Sequence, residues 1–318
     1  MNKRLASIVR KGVILVVTLF FVSCAVFAAF HIIPGDPALL ILGTEASEER
    51  LTLLREELGT DKGVLSQYVD WIGGMVHGNL GLSLTYRKPV MELLAARLPV
   101  TFMLGLMVLV LTLLVSLPLG IAAGYHKDGT LGRLAGVFSI AGISVPDFFL
   151  SIIVIWIFGL SLHLFAPGRY VGYAENFPAF LRFMIFPAIT IALPQIAILT
   201  KYVRAAVAAE LGAGYVRTAR SKGCSSVRVL ACHVFKNTLV SVMPLLGMIV
   251  GSIFSGSIIV EQVFGISGIG RLLISSVTSR DFPLTQGLVL YIAGIMVLVN
   301  FLVDIAVQFI DPRICFKD

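Results

Sequence analysis

Charge is what this sequence has least of. Only 14% of its 318 residues are Asp, Glu, Lys or Arg, where a water-soluble domain keeps roughly 25% to cover its surface. A soluble globular fold is excluded, because too much of the surface must meet something other than water. Also missing is any Gly-Lys dipeptide, and with it the glycine-rich loop whose lysine reaches a nucleotide phosphate. The chain is not an ATPase of that kind. Its five histidines, His31, His77, His126, His163 and His233, are scattered. Cys224 and Cys232 lack metal-ligand spacing, and with Cys24 and Cys315 they complete the cysteines. None falls in a segment expected to face an oxidising compartment, so no structural disulfide is expected. No paired acids or nucleophile–base motif favours an intramembrane enzyme. No repeated halves or midplane relay favours an ion-gradient secondary transporter.

Apolar residues are abundant, at 57% of the chain, and they come in nearly charge-free runs. The runs are Gly12–Ile33, Leu98–Tyr125, Leu134–Pro146 continuing from Phe148, Phe183–Thr200, Thr238–Val260 and Phe282–Val303. About 20 apolar residues in a helix cross a hydrocarbon layer of about 30 Å. Barrel strands would alternate over about 10 residues, and these runs do not. The expectation is an all-α integral membrane protein of about six transmembrane helices. Lys3, Arg4, Arg10 and Lys11 precede the first run in the manner of a signal peptide. Its apolar stretch exceeds the roughly 7–15 residues of a cleavable signal. Phe21-Val22-Ser23-Cys24 resembles a lipoprotein cleavage site only faintly, so the run is read as a retained helix.

Six spans put both termini on one side. With that side cytosolic, fifteen basic residues fall there against four acidic ones, Asp128, Glu210, Asp311 and Asp318. Lys and Arg gather on the cytosolic side of membrane proteins, so both termini are expected in the cytosol. The net charge of +7 is then topological, and no aromatic-interleaved basic groove suggests nucleic acid. The expected divisions are residues 12–33 as the first span, 34–97 as an outer segment, and 98–318 as a core with five further spans. That core includes a cytosolic loop at 207–236.

The outer segment opens with Pro34-Gly35-Asp36-Pro37, where the prolines force a turn. Ser47, Glu48 and Glu49 mark a helix start, and Gly59 marks its end. Leu65, Tyr68, Val69, Ile72 and Val76 repeat at helical spacing. This is expected to be a small helical piece lying on the outer mouth of the bundle.

The longest cytosolic segment, Lys201–Lys236, carries seven basic residues and one acidic residue. At its centre stands Tyr215-Val216-Arg217-Thr218-Ala219-Arg220-Ser221-Lys222-Gly223. Tyr215, Ala219 and Lys222 fall on one helical face, and Gly223 permits a sharp turn. A short amphipathic helix held off the membrane suits a groove on a partner, although an ordinary basic loop has the same composition.

Sequence motifs favour the first reading. Arg217-Thr218-Ala219 followed by Gly223 resembles the cytosolic loop of ABC importer permeases, in the version carried by the dipeptide, oligopeptide and nickel permease family. His233-Val234-Phe235-Lys236-Asn237-Thr238-Leu239 resembles that family's continuation. Pro34-Gly35-Asp36-Pro37, Gly78-Asn79-Leu80-Gly81 with Ser83, Pro89-Val90, Arg97-Leu98-Pro99 with Thr101, and Ser144-Val145-Pro146 match as well. So do Val263-Phe264 with Gly268-Ile269-Gly270-Arg271, then Arg280-Asp281-Phe282-Pro283 and Asp311-Pro312-Arg313. The likeness covers nearly the whole chain, in order. Arg217 stands where the broader signature has Glu, as is usual in this subfamily. Cys224-Ser225-Ser226 replaces a more charged stretch.

The resemblance implies a multi-pass permease subunit of the inner (plasma) membrane. A second homologous permease would share the path, two cytosolic ABC ATPases would each bind one such loop, and an outer solute-binding protein would deliver substrate. Tyr215, Arg217, Thr218, Ala219, Arg220, Lys222 and Gly223 would form the coupling site. No cofactor is expected on this chain, since ATP and Mg would sit on the ATPases. Dipeptides or oligopeptides are the expected cargo, with nickel or a metal chelate as the alternative.

Asp147 follows Pro146 early in the third apolar region, and Asp304 lies one turn after Asn300 in the last helix. A carboxylate in hydrocarbon costs at least a few kcal/mol, which makes Asp147, Asn300 and Asp304 candidates for an intramembrane gate. Asp147 could instead cap the helix after Pro146, and Asp304 could pair with a loop Arg. Pro118, Pro187, Pro194 and Pro244 each remove a backbone hydrogen bond and could kink a span.

Overall fold

The computed structural model describes residues 3–32, 37–43 and 46–310. Pro34, Gly35 and Asp36 of the first turn motif, the Asp311-Pro312-Arg313 motif and Cys315 lie outside them. Among the described residues the regular structure is helical. Helix α1 runs Lys3–Ile32, followed by the short α2 (Pro37–Leu42), α3 (Glu48–Leu58) and α4 (Val64–Val76). Ser47 and Gly59 do flank α3, with Gly59 left-handed at φ 68°, but Ser47 makes no side-chain cap bond. On α4, Gln67, Tyr68, Trp71 and Ile72 turn toward the protein while Leu65, Val69 and Val76 stay exposed.

Helix α5 (Val90–Tyr125) has 36 residues, about 54 Å at 1.5 Å per residue, and overshoots a hydrocarbon layer. Then come α6 (Thr130–Ser144) and α7 (Asp147–Val154), the latter continued by a π-helical turn to Ser161. Here the structure amends the expected third span. Residues 130–144 and 147–161 meet at 100°, because Val145 leaves the helix with φ −95°, ψ 121° ahead of Pro146. A residue before proline is pushed out of the helical region.

Helix α8 (Phe177–Leu211) is followed by α9 (Gly214–Ser221), α10 (Ser226–Val229) with a π turn to Val234, α11 (Phe235–Phe264), α12 (Ile269–Thr278) and α13 (Phe282–Ile310). Among the described residues five helices are long and apolar enough to cross a membrane, or six where the bent pair counts as one span. Pro118, Pro187, Pro194 and Pro244 sit inside α5, α8 and α11, which run unbroken through them.

The main core gathers α5, α8 and α11 around Leu104, Met184, Ile191, Leu199 and Ile253. Gly120 and Gly124 of α5 lie against Val203 and Val207 of α8 so closely that an added Cβ would stand 2.7–2.8 Å away. A second core joins Leu80, Val90 and Leu94 to Ile269, Leu272, Leu284 and Leu288. It fastens the segment before α5 onto α12 and α13. Helix α1 stands to one side, packed on α13.

Candidate functional site

Helix α9 is short because Gly212 and Ala213 end α8 just before it and Gly223 ends it. Gly223 takes φ +80°, a conformation that costs any residue with a Cβ roughly 1–2 kcal/mol. Its amide bonds the Arg220 carbonyl at 2.9 Å, and the Cys224 amide bonds the Ala219 carbonyl at 3.2 Å. Ser225 then caps α10, accepting from the Arg228 amide.

The face of α9 differs from the one read off the sequence. Val216 and Ala219 are the buried pair, packed into the same core as Val203, Val207, Val229 and Val234. Tyr215 and Lys222, placed beside Ala219 on a helical wheel, are exposed, as are Arg217, Thr218, Arg220 and Ser221. Ala219 is thus a seat on the bundle, and the outward surface is a cationic row.

One residue anchors this element to two others. Glu210, at the end of α8, accepts a hydrogen bond from the Tyr215 hydroxyl, and Asn237 Nδ2 of α11 donates to the same oxygen at 3.5 Å. Partial burial, and then this bond, hold the Tyr215 phenol above its usual range. Glu210 was visible only as the lone acid of a basic segment; the Tyr215 and Asn237 motifs gave no sign of meeting on it.

Two buried acids escaped the sequence reading as site residues. Glu261, fully buried on α11, accepts from Thr101 Oγ1 at 2.7 Å and from the Gly270 and Arg271 amides at 2.7 and 3.2 Å. Thr101 Oγ1 in turn accepts from the Ile269 amide at 2.9 Å. The free N–H groups at the start of α12 are therefore met by an acid and a hydroxyl from other helices. Gly268 is required there, because a Cβ would lie 2.3 Å from the Glu261 carboxyl carbon. Asp281, also fully buried, accepts from Ser83 Oγ and from the Leu84, Thr85 and Leu284 amides.

The three intramembrane candidates do not assemble. Asp147 makes no cap bond for α7; Pro146 holds the cap position. Its carboxylate instead lies in the notch at Gly256 of α11, 2.6 Å from where a Cβ would stand. Asn300 reaches Gly247 of the same helix, about 13 Å further along at 1.5 Å per residue. Asp304 pairs with Lys11 of α1 at 3.3 Å, not with a loop arginine.

A set of long apolar helices carrying a short, basic, rigidly seated helix between the fourth and fifth spans defines a polytopic permease. Comparison with known proteins agrees. Residues 116–315 match the binding-protein-dependent transport system inner membrane component, and residues 4–105 match the N-terminal membrane component of such systems. This chain belongs to that family and is a multi-pass inner-membrane protein. It is 38% identical over 298 residues to a Brucella abortus protein named as a peptide transport system permease, covering 93% of this chain and 94% of that one. It is 32% identical over 307 residues to a Sinorhizobium fredii protein named as a peptide ABC transporter permease, covering 96% and 98%. The glutathione transport system permease protein GsiC of Escherichia coli K12 is 34% identical over 310 residues, covering 98% and 99%.

Proposed function

We propose that this chain forms, with a second permease of its family, the membrane path of an ATP-driven importer for dipeptides or oligopeptides. The supporting observation is the seating of α9. Val216 and Ala219 pack it into the core, and Glu210 ties it to α8 and α11, so a force on α9 reaches two spans. Its exposed Arg217, Arg220 and Lys222 suit an acidic groove on a separate ATPase, where ATP and Mg would bind. Uphill uptake needs that partner, since the chain has no phosphate-binding loop of its own. Lys11 and Asp304 place the start of α1 and the end of α13 at one end of the bundle. With six crossings α9 would share that end, and the excess of Lys and Arg there supports a cytosolic location for it and for both termini. An outer solute-binding protein would meet the opposite end. The peptide cargo is suggested by the names of the relatives.

The experiment is purification from native membranes in mild detergent, mass-spectrometric identification of the companions, and reconstitution in liposomes. A second permease, ATPase subunits and ATP-dependent peptide uptake are expected. Recovery of the chain alone, or uptake driven by an ion gradient without ATP, would overturn the reading.

A further inference from the structure

Between α1, α4 and α13 lies a crevice of about 540 Å³, walled by Leu19, Ile72, Met75 and Leu290, with Gly287 and Gly294 on α13. Helices α1 and α13 both cross the membrane. Val16, Phe20 and Val76, which border the crevice, are 64%, 54% and 79% exposed. The crevice is therefore continuous with surface that faces hydrocarbon.

Ser23 and Tyr68, two of its polar wall residues, are engaged with one another. Ser23 Oγ donates to the Phe20 carbonyl at 2.7 Å, which makes the Tyr68 hydroxyl the donor in its 2.8 Å contact with Ser23. Cys24 Sγ donates to Tyr68 in turn at 3.2 Å. A peptide or a hydrated solute finds no free donor in that chain. A flexible hydrocarbon chain matches the apolar lining and reaches the crevice from the lipid-facing surface with which it is continuous. One hydroxyl is left over, on Tyr291, which bonds no described residue and suits an ester oxygen.

We propose that this crevice holds one acyl chain of a membrane phospholipid, which fills the gap between α1 and the bundle and steadies α4 against both.

The test uses the transporter purified whole from its membranes and reconstituted with a phospholipid bearing a mid-chain diazirine, with photoadducts mapped by mass spectrometry. Adducts should concentrate on Ile72, Met75 and Leu290. Gly294→Phe, whose ring would enter beside Leu19 where a Cβ has 3.9 Å of clearance, should abolish them. Adducts on Val13 and Val17, on the exposed face of α1, should persist. Should that variant fail to assemble, Leu19→Trp fills the space from the opposite wall and should give the same loss. Equal labelling of both sets, crevice adducts that survive the filling substitutions, or crosslinks there to another polypeptide would each overturn the proposal.

Discussion

Ser83 donates its hydroxyl proton to Asp281 across 2.5 Å, although the two stand 198 positions apart in the chain. Around that bond the Leu84 and Thr85 amides close on one side and the Leu284 amide of α13 on the other. Each buried donor left unpaired costs about 1–3 kcal/mol. Asp281→Ala should therefore destabilise the protein by at least about 3 kcal/mol on the same scale, seen as a lower melting temperature and poor recovery from membranes. Ser83→Ala should cost about 1–3 kcal/mol, and adding it to Asp281→Ala should cost little more. Additive losses in that double-mutant cycle would mean the two do not act as a pair.

Glu261 and Gly268 make a sharper case, because the glycine exists to admit the acid. Gly268→Ala puts a methyl 2.3 Å from the Glu261 carboxyl carbon, and overpacking of this kind costs roughly 1–3 kcal/mol. Glu261→Ala removes the acceptor shared by the Gly270 and Arg271 amides and should also lower thermal stability. Combined, the two substitutions should be less harmful than their sum, since the alanine side chain of the second leaves room for the methyl of the first.

These acids show where sequence reading stops. Ser83, Thr101, Gly268 and Asp281 belong to sequence motifs and Glu261 to none, yet a string of letters does not say that Glu261 caps α12 or that Asp281 grips a loop nearly two hundred residues upstream. Burial brings them together, and burial is a property of the packed chain. The spans were legible because hydrocarbon demands long apolar helices whatever the tertiary fold. The bend at Pro146 was not. Pro118, Pro187, Pro194 and Pro244 look no different in sequence and leave their helices continuous, since neighbouring helices can satisfy the freed carbonyls. Helix α9 was legible in extent, but its faces were not: Tyr215, Ala219 and Lys222 share a side of the wheel, and only Ala219, the small one, seats against the core together with Val216.

That division of faces separates two kinds of variant in α9. Arg217→Glu with Arg220→Glu alters only exposed side chains, so the permease should insert and melt normally while losing its ATPase subunits on purification. Ala219→Trp forces bulk into a packed seat at a cost of about 1–3 kcal/mol, and Gly223→Val strains a position at φ +80°. Both should retain some bound ATPase but hydrolyse ATP without uptake. Pull-down yield and the ratio of transport to hydrolysis tell the two classes apart.

For Asp304 the expectation is a small effect. Its ion pair with Lys11 is 59% exposed on the aspartate side, and exposed pairs contribute about 0–1 kcal/mol. Asp304→Asn should leave complex yield and melting temperature nearly unchanged. A large loss would show that the pair lies buried against another subunit in the assembled transporter.

Asp147 should respond differently, because its environment is a specific notch. It stands at the break between α6 and α7, and its carboxylate fills the space where Gly256 lacks a side chain. Gly256→Ala would place a methyl 2.6 Å from that oxygen, well inside contact distance. The acid would have to rotate away or α7 would have to shift, so the single variant should lose both stability and uptake. Asp147→Ala alone leaves the notch empty and should be milder, since the half-buried charge is removed with it. If the notch is the reason for the glycine, Asp147→Ala should rescue Gly256→Ala to the level of the Asp147→Ala single variant. Measuring yield, melting temperature and ATP-dependent uptake on all four combinations decides it. Failure of the rescue would mean that Gly256 is held by its contact with Ile191 of α8 and that Asp147 is incidental to the packing of α11.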